Sequence, residues 1–378
     1  MTVGMRQPTA IDLFCGAGGL SLGLQRAGFA VRAAVDINKA AVETYRTNLG
    51  DHVIQGSVLD IHPDDVLALS GLGPGNVDLL AGGPPCQGFS VQRRGPDDDH
   101  RNHLVPDFLR FVERLKPSFF LIENVPGLLA RRGRPFLGSL RQRAAELGYD
   151  TFVTKLDAVQ FGVPQFRVRV FVVGQRTDLG APRFRFPEPD DDRPRWGTVR
   201  KAIGDLPEPP LDGSPHPAYS NHFREAKLSQ VNLERFRNIP PGGGREDLPE
   251  HLQLPCHRNN PRHRHLDVYG RLAWDEPSVT LTARFDSFSR GRFGHPEQMR
   301  SLTLREGARI QTFPDSFVFS GNREEGAMQI GNAVPPLLAE QLGRSIRAIL
   351  NGEALETLVT RNVEQLEFAL RKPASAAL

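Results

Sequence analysis

The sequence predicts an α/β protein with two domains, a doubly wound Rossmann-like sheet and a smaller, irregular, mostly β domain. Three observations predict this architecture. Short apolar runs alternate with helical patterns through about residue 175, proline and charge accumulate over 181–217, and an apolar helical pattern returns at 329–350. The chain has 378 residues, which is enough for two hydrophobic cores.

The elements of the first domain follow from the order of its apolar runs. Most strand-like runs are followed by a helical pattern, which is typical of a parallel sheet with crossover helices. Asn38 is placed to cap the second helix. We expect strands at 10–14, 32–36, 52–56, 77–82, 117–124 and 167–174, and helices at 19–28, about 38–48 and about 104–115.

The domain boundaries follow the change in composition. The proline- and charge-rich stretch suits a junction of extended, exposed backbone. We assign residues 1–182 to the first domain, 183–325 to the second, and 326–378 to a return to the first, ending in an amphipathic helix at 353–371.

Composition is that of an ordinary globular protein, with 39% hydrophobic and 24% charged residues. No run approaches the ~20 apolar residues that span a bilayer, and the N-terminus lacks the apolar core of a secretory signal. Three cysteines, Cys15, Cys86 and Cys256, cannot form a disulfide framework. We therefore expect a cytoplasmic protein.

The net charge of +3 is concentrated in one window. Residues 251–300 contain eight Arg, no Lys and five acidic residues, so the rest of the chain sums to zero. A guanidinium group can grip a phosphate or a guanine edge with two hydrogen bonds, which favours a polyanionic partner. A solvated basic face explains the same charge equally well.

A glycine-rich turn at 12–23, DLFCGAGGLSLG, follows the first strand and opens a helix. Its glycines let backbone amides approach a ligand closely. Asp36 ends the second strand, where a carboxylate can accept both hydroxyls of a ribose. The pair indicates an adenosine cofactor, either a dinucleotide or S-adenosylmethionine, although tight packing at a turn is the alternative.

The segment GGPPCQGFS at 82–90 places Cys86 just beyond the fourth strand, at the edge where such sheets carry active sites. Its prolines fix the backbone and remove amide donors. A buried cysteine acting as a small hydrophobe is the alternative. The polar flank formed by Gln87 and Ser90 favours a reactive thiol instead.

Three charged residues accompany the cysteine. Glu123 ends the otherwise apolar strand LIENV, where an unpaired carboxylate would be costly and can work as an acid. Arg167 and Arg169 are two apart in a predicted strand and should share one face. A surface salt bridge is the alternative for each arginine.

Together these motifs resemble the cytosine-5 DNA methyltransferase family, in its bacterial restriction–modification form. The segment between 175 and 300 resembles that family's variable target-recognition domain. The motifs occur in family order: DLFCGAGG, GGPPCQGFS, ENV, VPQFRVRVF, RSLTLREGARIQTFPDSF (300–317) and QIGNAVPP (329–336).

The resemblance implies transfer of a methyl group from S-adenosylmethionine to carbon 5 of a flipped-out cytosine. It makes Cys86 the nucleophile that attacks carbon 6 and Glu123 the acid that contacts the base. Arg167 and Arg169 would hold the cytosine and the surroundings of the thiol. The implied fold is the Rossmann-like sheet of S-adenosylmethionine-dependent methyltransferases.

The resemblance also implies a set of cofactor contacts. The family usually carries an acidic residue in its third motif, near the adenine, but this chain has Ser57 there. Asp60, three residues later, is the alternative contact. The remaining cofactor positions are Phe14, Ala17, Gly19, Asp36, Ile37, Pro85, Leu104, Asn332 and Ala333.

Duplex DNA is the partner that the resemblance implies. Gln87 and Ser90 match positions where the catalytic loop meets DNA. In the second domain Arg284, Arg290 and Arg292 are the predicted DNA contacts, and phosphate contact is the least demanding role for them.

Other readings stay open. Cys256 lies near His257, His263 and His265, but the usual paired zinc spacing is absent, so we expect no metal. An RNA cytosine methyltransferase and a catalytically silent DNA-binding regulator are the alternative functions. We expect a monomer associated with the nucleoid and a cognate restriction endonuclease as functional partner.

Overall fold

The computed structural model describes residues 6–85, 104–192, 196–225, 228–258 and 267–353. The chain divides into two compact units. The first contains the chain up to Phe161, Val168–Asp191 and the segment from Val334, and the second contains Gly162–Arg167 and Asp192–Ala333. The assignment of functional domains at 1–182, 183–325 and 326–378 remains a prediction.

The first unit is built on a seven-stranded sheet with the strand order β3-β2-β1-β4-β5-β7-β6. Strands β1 to β5 pair in parallel, and β7 is antiparallel to both β5 and β6. This confirms the predicted α/β class. The strands are β1 Thr9–Leu13, β2 Ala30–Asp36, β3 Val53–Gln55, β4 Leu79–Gly82, β5 Phe119–Asn124, β6 Tyr149–Asp157 and β7 Val168–Arg176.

Strand β6 was not predicted from the sequence. Its residues, YDTFVTKLD, are mostly half-buried, so it lacks the continuous apolar run of the strands β1 and β4. Strands β1 and β4 in the middle of the sheet are buried at every residue, as expected for strands covered on both faces. Pairing with β7 along the whole of β6 outweighs that weak local signal.

Eleven α-helices occur in the described ranges, and none of these is long and apolar enough to span a membrane. Asn38 caps the second helix as predicted, accepting a 3.0 Å hydrogen bond from the amide of Ala41. The helices are α1 Gly19–Arg26, α2 Lys39–Leu49, α3 Pro63–Ser70, α4 Leu104–Leu115, α5 Arg134–Glu146, α6 Val199–Ile203, α7 Gln230–Asn238, α8 Pro255–Arg258, α9 Leu304–Ile310, α10 Arg323–Asn332 and α11 Pro336–Leu350.

Helix α11 packs closely on α1 within the first unit. A Cβ atom at Gly23 would lie 2.4 Å from the Cβ of Ala339 and from the carbonyl oxygen of Pro336. Glycine is therefore required where the two helices approach. The last described helix thus supports the helix that follows the glycine-rich turn.

The second unit is irregular, as predicted, but differs from the expected mostly β structure. Its described β pairing is limited to isolated bridges, such as the one between Arg271 and Gly294. Apolar side chains form a small core in which the rings of Phe236 and Phe288 stack at 3.9 Å. Few backbone N–H and C=O groups in the described part of this unit are therefore hydrogen-bonded within β ladders.

Buried arginines supply the missing backbone hydrogen bonds of this unit. Arg271 donates to four backbone carbonyl oxygens, and Arg305 donates to three. Burial lowers the pKa of Arg305 to about 10, so it stays charged at neutral pH. The acceptors are Phe236, Ile239, His295 and Pro296 for Arg271, and Ser220, Pro314 and Phe317 for Arg305.

The motif at 300–317 holds a buried ion pair. Arg300 donates to both oxygens of Glu306 at 2.8 and 2.6 Å. Thr303 and Glu306 form a capping box at the start of α9. His295 lies 3.8 Å from Glu306, and burial lowers its pKa to about 4, so it is neutral at physiological pH. The motif therefore has a structural role in this unit.

Candidate functional site

The glycine-rich turn after β1 has the backbone geometry that its sequence predicts. Gly16 and Gly18 have φ values of 53° and 95°, and Phe14 shares this left-handed region at 59°. The amide of Cys15 donates to the carbonyl of Val35 at 3.0 Å, which ties the turn to β2. Ala17 is buried within the turn and Gly19 begins α1.

Asp36 links the glycine-rich turn to the start of α2. Its carboxylate accepts one hydrogen bond from the amide of Gly16 and one from the amide of Asn38, each at 2.8 Å. Burial raises the pKa of Asp36, and these hydrogen bonds oppose the shift. A carboxylate accepts about four hydrogen bonds, so capacity remains for ribose hydroxyls. Ile37, the next residue, is 69% exposed.

A chain of hydrogen-bonded polar side chains lies beneath the turn, and the sequence analysis did not predict it. The hydroxyl of Ser21 donates to Asp12 at 2.6 Å, and the hydroxyl of Tyr45 donates to Ser21 at 3.1 Å. The Nε2 atom of His52 lies 3.1 Å from the Tyr45 oxygen. Burial, assisted by the charge of Asp36, raises the pKa of Asp12 to about 7.

The loop after β3 carries the two candidate adenine contacts. The Ser57 hydroxyl accepts from the amide of Leu59 at 3.2 Å, so it stabilises its own turn, whereas Asp60 is exposed. Arg110 of α4 donates to the carbonyls of Val58 at 2.7 Å and of Ile61 at 3.3 Å. The helix that begins at Leu104 therefore holds this loop, although the Leu104 side chain lies outside the description.

Glu123 at the end of β5 forms an ion pair with Arg169 of β7, at 3.0 Å between Oε1 and Nε. The side chains are 13% and 16% exposed, so the pair is shielded from solvent far more than a surface salt bridge. Glu123 is therefore not an unpaired carboxylate. The antiparallel register of β5 and β7 places Phe171 opposite Glu123, and Arg169, two residues from Phe171, projects from the same face of β7.

Arg167 differs from its prediction. Strand β7 begins at Val168, so Arg167 lies outside the strand and the premise of a shared strand face is wrong. Arg167 is 1% exposed and donates to the carbonyl oxygens of Leu281, Gly331 and Ala333 at 2.9 to 3.0 Å. Arg167 and its three backbone acceptors all belong to the second unit.

Two glutamines extend the hydrogen bonds that Arg167 makes, and the sequence analysis did not identify either of them. Gln165 donates to Gln311 at 3.0 Å and accepts from the amide of Leu281 at 2.8 Å. Gln311 in turn donates to the carbonyl of Ile330 at 2.7 Å. The motifs VPQFRVRVF, RSLTLREGARIQTFPDSF and QIGNAVPP are thus joined by buried side chains of the second unit. Of the predicted cofactor residues there, Asn332 is exposed and Ala333 half-buried.

Cys86, Gln87 and Ser90 lie outside the described residues. The described end of their segment leaves β4 at Gly82, and Pro85 is half-buried. A Cβ atom at Gly83 would lie 3.4 Å from Oε2 of Glu123, so the segment starts beside that carboxylate.

The arginines predicted to contact DNA are in different environments. Arg284 pairs with Asp286 at 3.1 Å and with Glu324 at 3.2 Å. Arg292 donates to the carbonyl of Gly242 and lies 3.4 Å from Asp267. Arg290 is exposed. Arg271 and Arg300, from the same basic window, are buried, so part of the charge excess is internal.

Comparison with known proteins adds family evidence to this geometry. The profile of the family described as C-5 cytosine-specific DNA methylase matches residues 9–348. The Type II methyltransferase M1.HphI of Haemophilus parahaemolyticus is 38% identical over 341 residues, covering 89% of this chain and 86% of the relative. The Type II methylase M.HgiDII of Herpetosiphon aurantiacus is 33% identical, covering 90% and 96%.

Solved structures show the same fold. A protein encoded within an Escherichia coli prophage aligns with a TM-score of 0.68 and 26% identity, covering 91% of this chain and 99% of that one. The Entamoeba histolytica methyltransferase EhMeth aligns with a TM-score of 0.62 and 18% identity, covering 92% and 99%.

Proposed function

Because the chain belongs to the C-5 cytosine-specific DNA methylase family, we propose that Cys86 attacks a flipped-out cytosine in a specific duplex DNA sequence. The chain is a DNA (cytosine-5-)-methyltransferase, and the finer steps below are our proposal. The observation that carries it is the shielded pair of Glu123 and Arg169 beside Gly83, at the start of the cysteine segment.

The thiol is needed because carbon 5 of cytosine is too poor a nucleophile to take a methyl group unaided. The Cys86 thiolate forms a bond to carbon 6, which moves an electron pair toward carbon 5. S-adenosylmethionine, when bound, supplies the methyl group on its sulfonium and leaves as S-adenosylhomocysteine. Loss of the carbon 5 proton to a base then expels the thiolate and restores the ring.

Glu123 and Arg169 act on the base in this scheme. Glu123, when protonated, donates a hydrogen bond or the proton itself to the ring nitrogen that gains electron density, which lowers the barrier to thiolate attack. Once the proton has been given up, Arg169 stabilises the resulting carboxylate through the ion pair, which is 3.0 Å long in the structure. A base inside a duplex cannot reach these groups, so the cytosine must flip out at a cost of a few kcal/mol. Arg167 acts by holding the backbone carbonyls of Gly331 and Ala333.

The residues of the glycine-rich turn fit the cofactor. The left-handed turn at Gly16 and Gly18 lets backbone approach a ligand, and Asp36 retains acceptor capacity for ribose hydroxyls. The exposed Ile37 offers an apolar surface to an adenine ring. Asp60 is a better candidate than Ser57 for the adenine amino group, because the Ser57 hydroxyl is engaged within its own turn.

The biological role that we propose is protection of host DNA in a restriction–modification system. The curated relatives named above carry the description Type II in their names. A cognate endonuclease would be a functional partner that cuts the same sequence, and the enzyme would act on the nucleoid as a monomer. Arg290 is the best placed of the predicted DNA-contacting arginines, because it is exposed.

The test is methyl transfer from labelled S-adenosylmethionine to unmethylated duplex DNA. We expect label on carbon 5 of cytosine with the wild type and none with Cys86→Ser. Cys256→Ser is the matched control, because Cys256 is an exposed cysteine outside the motifs, and it should retain full transfer. Transfer by Cys86→Ser, or transfer to RNA alone, would contradict the proposal.

A further inference from the structure

Two consecutive prolines limit the backbone anchoring at the start of the cysteine segment. Strand β4 ends at Gly82, so the next residues leave the sheet ladder. Pro84 and Pro85 have no amide hydrogen, which removes two donors from this stretch. Such a segment can be held near the sheet mainly through its carbonyl oxygens. A hydrogen-bond donor from another part of the chain is therefore needed to fix the direction in which this stiff segment runs.

Asn124 supplies that donor. Its Nδ2 atom donates to the carbonyl oxygen of Pro84 at 3.2 Å, across 40 residues of sequence. Its Oδ1 atom accepts from the amide of Val125 at 2.8 Å, which fixes the orientation of the amide group. The side chain is 3% exposed, so water does not compete for this contact.

We propose that Asn124 is a positioning residue for the nucleophile, a role that rests on the proposed function. By holding the Pro84 carbonyl, it fixes the point from which the chain runs to Cys86, two residues later. Asn124 follows Glu123 directly, and β5 therefore presents the acid and the anchor of the thiol segment from adjacent positions. Rigid placement of the attacking atom affects the chemical step more than binding.

The substitution Asn124→Asp tests the need for a donor. It keeps the size of the side chain and the acceptor for Val125, but a carboxylate oxygen then faces the Pro84 carbonyl and repels it. Protonation of the new carboxyl restores an O–H donor. We expect kcat about ten- to hundredfold below wild type at pH 8, with KM values for DNA and cofactor within about threefold.

The pH dependence separates this role from a merely structural one. The ratio of kcat for Asn124→Asp to kcat for wild type should rise as pH falls from 8 to 6, because burial favours the protonated carboxyl. Among the residues that the structure describes here, Glu123 and Arg169 are the charged groups beside the site, and they are common to both enzymes. Asn124→Ala, which lacks a donor at every pH, should give a low and constant ratio.

A flat ratio for Asn124→Asp, or kcat of Asn124→Ala within twofold of wild type, would overturn the proposal. If Asn124→Ala does not fold, the isosteric Asn124→Asp alone decides through its pH profile. Should the wild type transfer no methyl group, the proposed function fails separately, and alkylation of Cys86 by iodoacetamide in a Cys256→Ser background still tests the anchor. Asn124→Asp should then change the rate constant at least ~threefold at pH 8 and approach wild type as pH falls. An unchanged rate constant would refute it.

Discussion

Replacing Glu306 with glutamine removes the charge of a buried ion pair while keeping the shape of the side chain. Arg300 and Glu306 are joined by two short hydrogen bonds, and each side chain is 2% exposed. The substitution leaves the guanidinium group buried without its counter-charge. Breaking a buried pair in this way costs about 3–5 kcal/mol of stability.

The pKa of Glu306 gives an independent magnitude. Burial alone would raise this pKa, but the charge and hydrogen bonds of Arg300 outweigh burial and lower it from 4.5 to about 2. That difference corresponds to roughly 3 kcal/mol at neutral pH. Because the folded pKa lies below the unfolded one, this stabilisation is complete above the unfolded pKa and is lost as pH falls toward 2.

Tryptophan fluorescence provides the assay. The chain has two tryptophans, Trp196 and Trp274, and both belong to the second unit. We expect Glu306→Gln to lower the free energy of urea unfolding by about 3 kcal/mol at pH 7, and this difference to shrink as pH falls below about 4.5. An unchanged midpoint, or a difference that grows at low pH, would refute the reasoning.

The matched control is Glu324→Gln in the same unit. Glu324 is 67% exposed and pairs with Arg284 at 3.2 Å, while Arg284 also keeps its contact with Asp286. Exposed pairs of this kind contribute little to stability. The unfolding midpoint of this variant should therefore equal that of the wild type.

Three further predictions concern the first unit. Arg110→Ala frees the loop that carries the candidate adenine contacts, so S-adenosylhomocysteine should bind about tenfold more weakly by calorimetry, with kcat little changed. Gly23→Ala forces a methyl group against α11 and should lower the free energy of unfolding by about 1–3 kcal/mol, seen as a lower Tm by circular dichroism. Asn38→Ala removes the cap of α2 and should cost about 1 kcal/mol in the same assay. Unchanged or tighter ligand binding by the first variant, or unchanged Tm values for the others, would contradict these expectations.

Most of the first unit could be predicted because its information is local. Buried parallel strands read as apolar runs, and the cap at Asn38 is a property of one side chain. Strand β6 could not, since its half-buried residues carry little signal and its place is set by pairing with β7. The second unit was predicted as irregular, but hydrogen bonds from arginine to distant carbonyls leave no periodic trace in the sequence.

The site divides in a similar way. Asp36 and Glu123 stand at strand ends, so the sequence could identify them as candidates. The partner of Glu123 follows from strand register, and the acceptors of Arg167 lie more than a hundred residues away in sequence. Asn124 was passed over because its significance depends on one contact, with a carbonyl far earlier in the chain.

The hydrogen bonds from buried arginines to backbone carbonyls in the second unit affect how the sequence of such a unit can vary. A sheet transmits any insertion along its ladder, because register couples every neighbouring residue. Here Arg271 and Arg305 each hydrogen-bond to carbonyl oxygens of two separate chain segments. Segments between these points can change length and side chains while the fastened carbonyls keep their places. Natural variation should therefore spare the arginines and accumulate between them, and lysine, with one ammonium in place of a planar fork, should not substitute for either.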